Sequence, residues 1–226
     1  MGPLWDPEGK RTVALDAMPL QAAHIAEAGL LYGAAFRDDP FVQAALVGLD
    51  GDTRQRCLAE FFAANASACV KRGLPWEFRD EDRMVAVLIA YPPGGYPPPL
   101  LQQARVFLSS LWRIRFLGRK LPVCASRLLT FWNELAKVHP TQPHYYTEYL
   151  AVKPGYQGHG VATLFGSTLA PTADRARIGV YLETPNPRTV PLYERFGFRL
   201  LGEKDILGVR FALMWRDPQP TAQAGG

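Results

Sequence analysis

Five prolines and two glycines stand within the eight residues 92–99, and this run limits the fold more than any other feature of the sequence. Proline has no backbone N–H and a fixed φ, so such a run can be neither a helix interior nor a central strand. It therefore predicts a loop that divides the chain into two parts with regular patterns.

The part before this loop predicts one short strand, two helices and a β-hairpin. The helical segments repeat apolar side chains at helical spacing, and the hairpin strands meet at the charged turn 80–82. The triplet Asp38-Asp39-Pro40 should break the first helix. In chain order the predicted segments are 11–15, 19–36, 54–72 and 76–91.

The part after the loop predicts the alternation of strands and helices that is typical of an α/β fold with a mixed sheet. It begins with a helical stretch over 100–137 that divides near 118–122. Pro171 should end or kink the helix that starts at residue 160. The segments after this stretch are 145–152, 160–170, 178–184, 187–196, 198–201 and 209–215.

Length and composition favour a single domain in a reducing, cytoplasmic setting. The chain has 226 residues, and its 25 Lys and Arg are mixed with 21 Asp and Glu, which argues against nucleic-acid binding. The three cysteines have neither zinc-ligand spacing nor a disulfide pattern, and the longest apolar run, 84–91, is too short to cross a membrane. We predict one domain over 1–218, a flexible tail over 219–226, no metal and no membrane partner.

A glycine-containing run between the strand 145–152 and the next helix is the first candidate site. Free backbone N–H groups and the helix dipole attract phosphate at such a position, and glycines allow a diphosphate to approach the main chain. The same glycines could equally form a tight turn without a ligand. The run consists of Gln157, Gly158, His159, Gly160, Val161 and Ala162.

This run and a later motif resemble the GNAT superfamily of acetyltransferases. The acetyl-CoA loop of that family follows the pattern Q/R-x-x-G-x-G/A, and Gln157, Gly160 and Ala162 occupy its defined positions. Farther along, Asn186 precedes Tyr193 by seven residues and a Gly-Phe pair follows, as in the second half of the family's motif. Within the superfamily the chain is most similar to small-molecule acetyltransferases such as puromycin N-acetyltransferase.

The resemblance implies an α/β fold with a mixed, mostly antiparallel central sheet, a splayed fourth and fifth strand, and flanking helices. It implies acetyl-CoA as co-substrate, held by the glycine run, by the strand end near Leu150 and Val152, and by Asn186. Asn186 could instead cap a helix that begins at Pro187. The implied reaction is direct transfer to an amine of a small molecule in a ternary complex. A CoA-binding module without turnover and a protein N-acetyltransferase are the alternatives.

The resemblance also places a general acid at Tyr193, which would contact the cofactor. A phenol of pKa about 10 can return a proton to a thiolate whose thiol has a pKa of about 8.5. The alternative role is packing beside Leu192 and Phe196, and both roles are compatible.

A base is needed because an alkyl ammonium of pKa about 10.4 is neutral in only about one molecule in 2,500 at pH 7. Strict alternation along 145–152 would put Tyr146, Glu148, Leu150 and Val152 on one face of the strand. Glu148 is therefore the candidate base, acting directly or through water. Substrate binding and an ion pair with an arginine are its alternative roles.

The acceptor site is less defined by the sequence. Glu183 is a second candidate carboxylate, while His144 and His159 are weaker candidates because of their positions before the strand and inside the glycine run. Residues 92–140 carry many aromatic side chains. These would form a lid over an apolar or aromatic amine, or else core or a homodimer contact.

Overall fold

The computed structural model describes residues 15–70, 72–157, 165 and 168–220, and over this part of the chain it contains one seven-stranded sheet between two layers of helices. The strands are β1 Asp16–Pro19, β2 Leu74–Asp80, β3 Arg83–Tyr91, β4 His144–Val152, β5 Gly179–Thr184, β6 Phe198–Ile206 and β7 Val209–Arg216. The helices are α1 Ile25–Phe36, α2 Pro40–Ala45, α3 Gly51–Cys69, α4 Leu100–Arg113, α5 Leu121–Ala136, α6 Leu169–Ala176 and α7 Val190–Arg195. Short 3-10 turns cover Ala22–His24, Arg115–Lys120 and Pro187–Thr189.

The sheet is mixed and its strands are mostly antiparallel, as predicted. The strand order is β1-β2-β3-β4-β5-β7-β6, and β4 and β5 form the parallel pair among the described strands. Their pairing runs only from His144 opposite Gly179 to Thr147 opposite Leu182, although β4 continues to Val152. The two strands therefore separate beyond Thr147, which confirms the predicted splay.

A β-bulge in β4 corrects the predicted alternation of its side chains. Ile89 of β3 lies opposite Tyr149 and Ala90 lies opposite Thr147, so Glu148 is an extra residue without a partner on β3. An extra residue shifts the side-chain phase by one position. Consequently Tyr146 and Tyr149 pack in the core beneath α1, whereas Leu150 packs in the core on the other face, and the prediction of one shared face is wrong.

Two helices begin at segments that contain proline. The triplet at 38–40 ends α1 as predicted, but it also begins α2, because the Asp39 carboxylate accepts a hydrogen bond from the Phe41 N–H at 2.9 Å. Pro171 lies in the first turn of α6, where a missing N–H removes no helical hydrogen bond. Residues 11–14, 71, 160–164, 166 and 167 of the predicted segments lie outside the described residues.

Two glycines of α1 allow it to pack very closely on α3. A Cβ atom at Gly33 would lie 2.5 Å from the Gln55 carbonyl oxygen, and one at Gly29 would lie 2.9 Å from the Ala59 carbonyl oxygen. Neither backbone oxygen can move away without moving α3. Between these glycines, Tyr32 packs its ring on Phe62 of α3 with centroids 4.9 Å apart.

We expect Gly33→Ala to destabilise the protein, because the added methyl group forces α1 away from α3. Overpacking of this kind costs about 1–3 kcal/mol, and the gain of about 1 kcal/mol in helix propensity offsets only part of it. Gly202→Ala in β6 is the matched control, since its methyl group would enter open space. Urea unfolding of both variants measures the effect, and equal stability of the two would contradict this account of the α1–α3 contact.

Candidate active site

A cavity of about 920 Å³ opens where β4 and β5 separate. Its walls include residues of α1, α2, α3, α5, α7 and the ends of the two strands. The cavity brings together most of the described residues that the sequence proposed for the site. These are Glu148, Leu150, Val152, Gln157, Asn186 and Tyr193. The other proposed residues, Gly158, His159, Gly160, Val161 and Ala162, lie outside the described residues.

One edge of β4 faces this gap. On the other edge Leu150 lies opposite Leu88 and Val152 lies opposite Ala86 of β3, so that edge is occupied by strand pairing. Pairing with β5 has already ended at Thr147. The gap therefore exposes a strand edge that can pair with an extended, amide-containing ligand.

The bulge turns Glu148 toward the side of the sheet that α1 covers. Burial raises the pKa of the Glu148 carboxyl to about 7, hydrogen bonding by the Tyr149 and Tyr91 hydroxyl groups offsets part of this rise, and the charge of Glu183 adds to it. Among the described residues its Oε2 atom is buried without a hydrogen-bond partner. Glu148 therefore offers the cavity an oxygen that can accept a proton near neutral pH.

Tyr193 lines the cavity from α7. Its ring packs edge-on against Phe198 with centroids 5.6 Å apart, which confirms the packing role. Burial raises the pKa of the Tyr193 hydroxyl to about 12, so this hydroxyl keeps its proton at neutral pH.

Asn186 also lines the cavity, and its side chain accepts a hydrogen bond from the Arg188 N–H at 3.0 Å. It caps the 3-10 turn Pro187–Thr189, so the helix-cap alternative is confirmed. By this contact Asn186 holds the chain that leads from β5 into α7.

The sequence did not reveal that two histidines lie beside Glu183. The Glu183 side chain is 4% exposed and lines the cavity, and the Nδ1 atom of His139 lies 3.7 Å from its Oε1 atom. The Nε2 atoms of His139 and His144 are 3.1 Å apart. The sequence contains a signal, because the two histidines flank a turn rich in proline at the start of β4. Their proximity to Glu183 is not visible there, because 43 residues separate His139 from Glu183.

The outer wall of the cavity is aromatic. Phe41 of α2 and Phe131 of α5 have centroids 3.9 Å apart, Phe131 lies 5.5 Å from Phe211, and Phe61 stacks on Trp132 at 5.6 Å. From the segment 92–140, helix α5 lines the cavity together with Tyr96 and Ile114. Trp112 of α4 is 67% exposed and is not among the residues that line the cavity.

The described residues contain no group of three or more His, Cys, Asp or Glu side chains that could hold a metal ion. None of the described helices is long and apolar enough to cross a membrane.

The family of this chain follows from comparison with known proteins. The sequence model of the Acetyltransferase (GNAT) family matches residues 71–198, which is more than half of the chain. The chain therefore belongs to the GNAT acetyltransferase family and is an N-acetyltransferase.

Solved structures with the same fold come from several organisms. A Corynebacterium glutamicum protein described as histone acetyltransferase HPA2 and related acetyltransferase has a TM-score of 0.63 and 22% identity, over 92% of this chain and 98% of that chain. Arylalkylamine N-acetyltransferase 2 from Aedes aegypti has a TM-score of 0.56 and 12% identity, over 91% and 99%. The polyamine N-acetyltransferase of Drosophila melanogaster has a TM-score of 0.51 and 12% identity, over 90% and 100%.

We expect the stability advantage of Glu148→Gln over the wild type to grow as the pH rises. The folded-state pKa of Glu148 is about 7, whereas an unfolded glutamate titrates at about 4.3. Stability contributed by the protonated carboxyl is therefore fully present below pH 4.3 and is lost as the pH rises through 7, a total change of about 4 kcal/mol.

Urea unfolding at pH 5 and at pH 8.5 measures this change. Glu203→Gln is the control, because the side chain of Glu203 on β6 is 48% exposed and its substitution should shift stability equally at both pH values. A Glu148→Gln effect that is also independent of pH would contradict the burial of a titrating carboxyl at this position.

Proposed function

We propose that this protein transfers the acetyl group of acetyl-CoA to an amine of a small molecule by direct transfer in a ternary complex. The observation that supports the proposal is one cavity that contains a strand edge, a protonated tyrosine and two buried carboxylates. In the reaction the amine nitrogen forms a bond to the acetyl carbon, the carbon–sulfur bond breaks, and the CoA sulfur gains the proton that the amine loses.

The residues of the cavity fit acetyl-CoA, which the family generally uses. The edge of β4 at Leu150 and Val152 can pair with the amides of the pantetheine arm as an added strand would. Gln157 lies at the same end of the cavity and begins the run that resembles the family's pyrophosphate loop. When bound there, acetyl-CoA supplies the thioester carbonyl that the amine attacks.

Tyr193 is the proposed general acid. It keeps its proton at neutral pH and lines the cavity across the gap from β4. A hydroxyl in this state can donate a hydrogen bond to the departing sulfur and transfer its proton, whereas a phenolate could not.

Glu148 is the proposed partner of the acceptor nitrogen. Its pKa of about 7 is close to the pH at which a base has both a useful charged fraction and the basicity to remove a proton. Its unpartnered Oε2 atom can also hold the ammonium form of the substrate before the proton leaves.

The aromatic wall favours an amine that carries an apolar or aromatic body. Phe41, Phe131 and Trp132 face the cavity from α2 and α5 and would contact that body while the nitrogen lies near Glu148. Structurally similar proteins are named for arylalkylamine and for polyamine acceptors. An aromatic wall suits an arylalkylamine better than a polyamine. A polyamine carries further ammonium groups besides the one at the carboxylates, and these would be buried against aromatic rings.

We expect acetyl-CoA to stabilise the protein against thermal unfolding. A ligand that binds only the folded state stabilises it by about 2.7 kcal/mol at 100 times its Kd. ADP at the same concentration is the control, since it lacks the pantetheine arm that the β4 edge would bind. The absence of any stabilisation by acetyl-CoA would refute the proposed function.

We expect Tyr193→Phe to lower kcat by about 100-fold or more with the best acceptor of an amine panel, because a general acid typically contributes this much. Acetyl-CoA binding should persist. Tyr145→Phe is the matched control, since Tyr145 is buried in the core on the other face of the sheet. Free CoA release measures the rates.

Other outcomes of the same assay separate the alternatives. Binding of acetyl-CoA by the wild type without turnover of any amine or peptide would identify a CoA-binding module. Turnover of peptides alone would identify a protein N-acetyltransferase.

A further inference from the structure

Three ionisable side chains form a chain that begins with Glu183 at the wall of the active-site cavity, and the proposed reaction gives the two histidines of this chain no role. Glu183 of β5 presents its carboxylate to the cavity. The Nδ1 atom of His139 lies 3.7 Å from the Glu183 Oε1 atom, and the His139 Nε2 atom lies 3.1 Å from the Nε2 atom of His144. The Nδ1 atom of His144 lies 2.7 Å from the carbonyl oxygen of Gln142.

Aromatic rings hold His139 in this orientation. Its ring centroid lies 5.2 Å from that of Tyr96, 4.8 Å from Tyr146 and 5.3 Å from Tyr181. On its far side His139 borders a second cavity of about 480 Å³ beneath the proline-rich loop 92–99. The ring is therefore fixed between the active-site wall and a second, separate cavity.

The hydrogen bonds determine which ring nitrogens carry protons. A backbone carbonyl can only accept, so the Nδ1 atom of His144 donates to Gln142. Burial lowers the pKa of His144, which keeps the ring neutral and leaves a lone pair on its Nε2 atom. His139 must therefore donate from its own Nε2 atom to His144.

When His139 carries its proton on Nε2 alone, the lone pair on its Nδ1 atom faces the Oε1 atom of Glu183 at 3.7 Å. Among the described residues that oxygen is buried and has no hydrogen-bond partner. In that tautomer no proton lies between the two atoms. One added proton converts the pair into a hydrogen-bonded unit, so the arrangement is built to receive a proton.

We propose that Glu183 and His139 together accept the proton that the substrate ammonium loses, and that His144 and the Gln142 carbonyl hold His139 in the receptive tautomer. The inference rests on the proposed function. The proton moves from the amine nitrogen to the pair, and the nitrogen keeps the electron pair that forms the bond to the acetyl carbon. Glu183 is the catalytic residue, and His139 and His144 are positioning residues.

This assignment transfers proton removal from Glu148 to Glu183 and leaves Glu148 the task of holding the ammonium form of the substrate. Glu148 has no histidine partner among the interactions that the structure shows, and its charge holds the ammonium. Glu183 shares the received proton with His139, which spreads the positive charge over an imidazole bordering the second cavity. The proton returns to water after each turnover.

The ring tautomers of the histidines test the inference without any substrate. Long-range proton–nitrogen NMR spectra of the wild type at pH 8 should show His139 protonated only at Nε2 and His144 protonated only at Nδ1. The chain has four histidines, so His139→Gln and His144→Gln spectra assign the signals. A proton on the Nδ1 atom of His139, in the neutral or the charged ring, would overturn the inference because no lone pair would then face Glu183.

Kinetics with two matched acceptors test the same inference during turnover. The acceptors 2-phenylethylamine and O-benzylhydroxylamine have the same size, but the first is an ammonium at pH 7 and the second is neutral. His139→Gln should lower kcat/KM about 100-fold for the first, which is within the range for a lost general base, and should leave the second nearly unchanged. A double variant with Glu183→Gln should lose no more than either single variant.

His24→Gln is the control, because His24 bonds to Glu77 at 2.8 Å away from the cavity. Equal losses for the two acceptors in His139→Gln would reduce His139 to a structural residue and overturn the inference while leaving the proposed function intact. Failure of the wild type to acetylate any amine would refute the proposed function. The NMR measurement of the His139 and His144 tautomers would still test the arrangement on which the inference depends.

Discussion

Parallel pairing between β4 and β5 stops at Thr147 and Leu182, and the active-site cavity exists because β4 continues beyond that point. A sheet that stayed paired would fill the gap with backbone hydrogen bonds and leave no strand edge for a ligand. The separation also opens space beneath α1, α2 and α5, whose side chains cannot close it. Both substrates would therefore meet at a defect in the sheet rather than on its surface.

The bulge at Glu148 and the unpartnered oxygens of Glu148 and Glu183 oppose stability. A buried polar group without a hydrogen bond costs about 1–3 kcal/mol. In contrast, the buried pair of Arg216 and Asp174 is complete, because Arg216 donates to both carboxylate oxygens of Asp174, at 2.7 and 2.9 Å. At the cavity, two buried carboxylate oxygens have no partner among the described residues and are available to a ligand. A proton acceptor or an ammonium-binding site requires such an available oxygen.

Local sequence patterns predicted most elements because they depend on short-range physics. Apolar spacing identified α1, α3 and α5, and the prolines of 92–99 marked the loop before α4. Helix α2 was missed because six residues are too few to show a helical period. The resemblance of Gln157, Asn186 and Tyr193 to a family motif led to the cavity, since all three residues line it.

The sequence by itself determined most of the order of strands and helices and the fold family, and it identified Tyr193 and Glu148 as candidates for acetyl transfer. Only the tertiary structure decided which face Glu148 occupies, because a bulge depends on the register that β4 adopts against β3. Likewise, the contact of His139 with Glu183 arises from the parallel placement of β4 and β5, which brings residues distant in the chain side by side. Side-chain periodicity depends on the local backbone conformation. Strand register, strand separation and contacts between charged side chains depend instead on packing between distant segments.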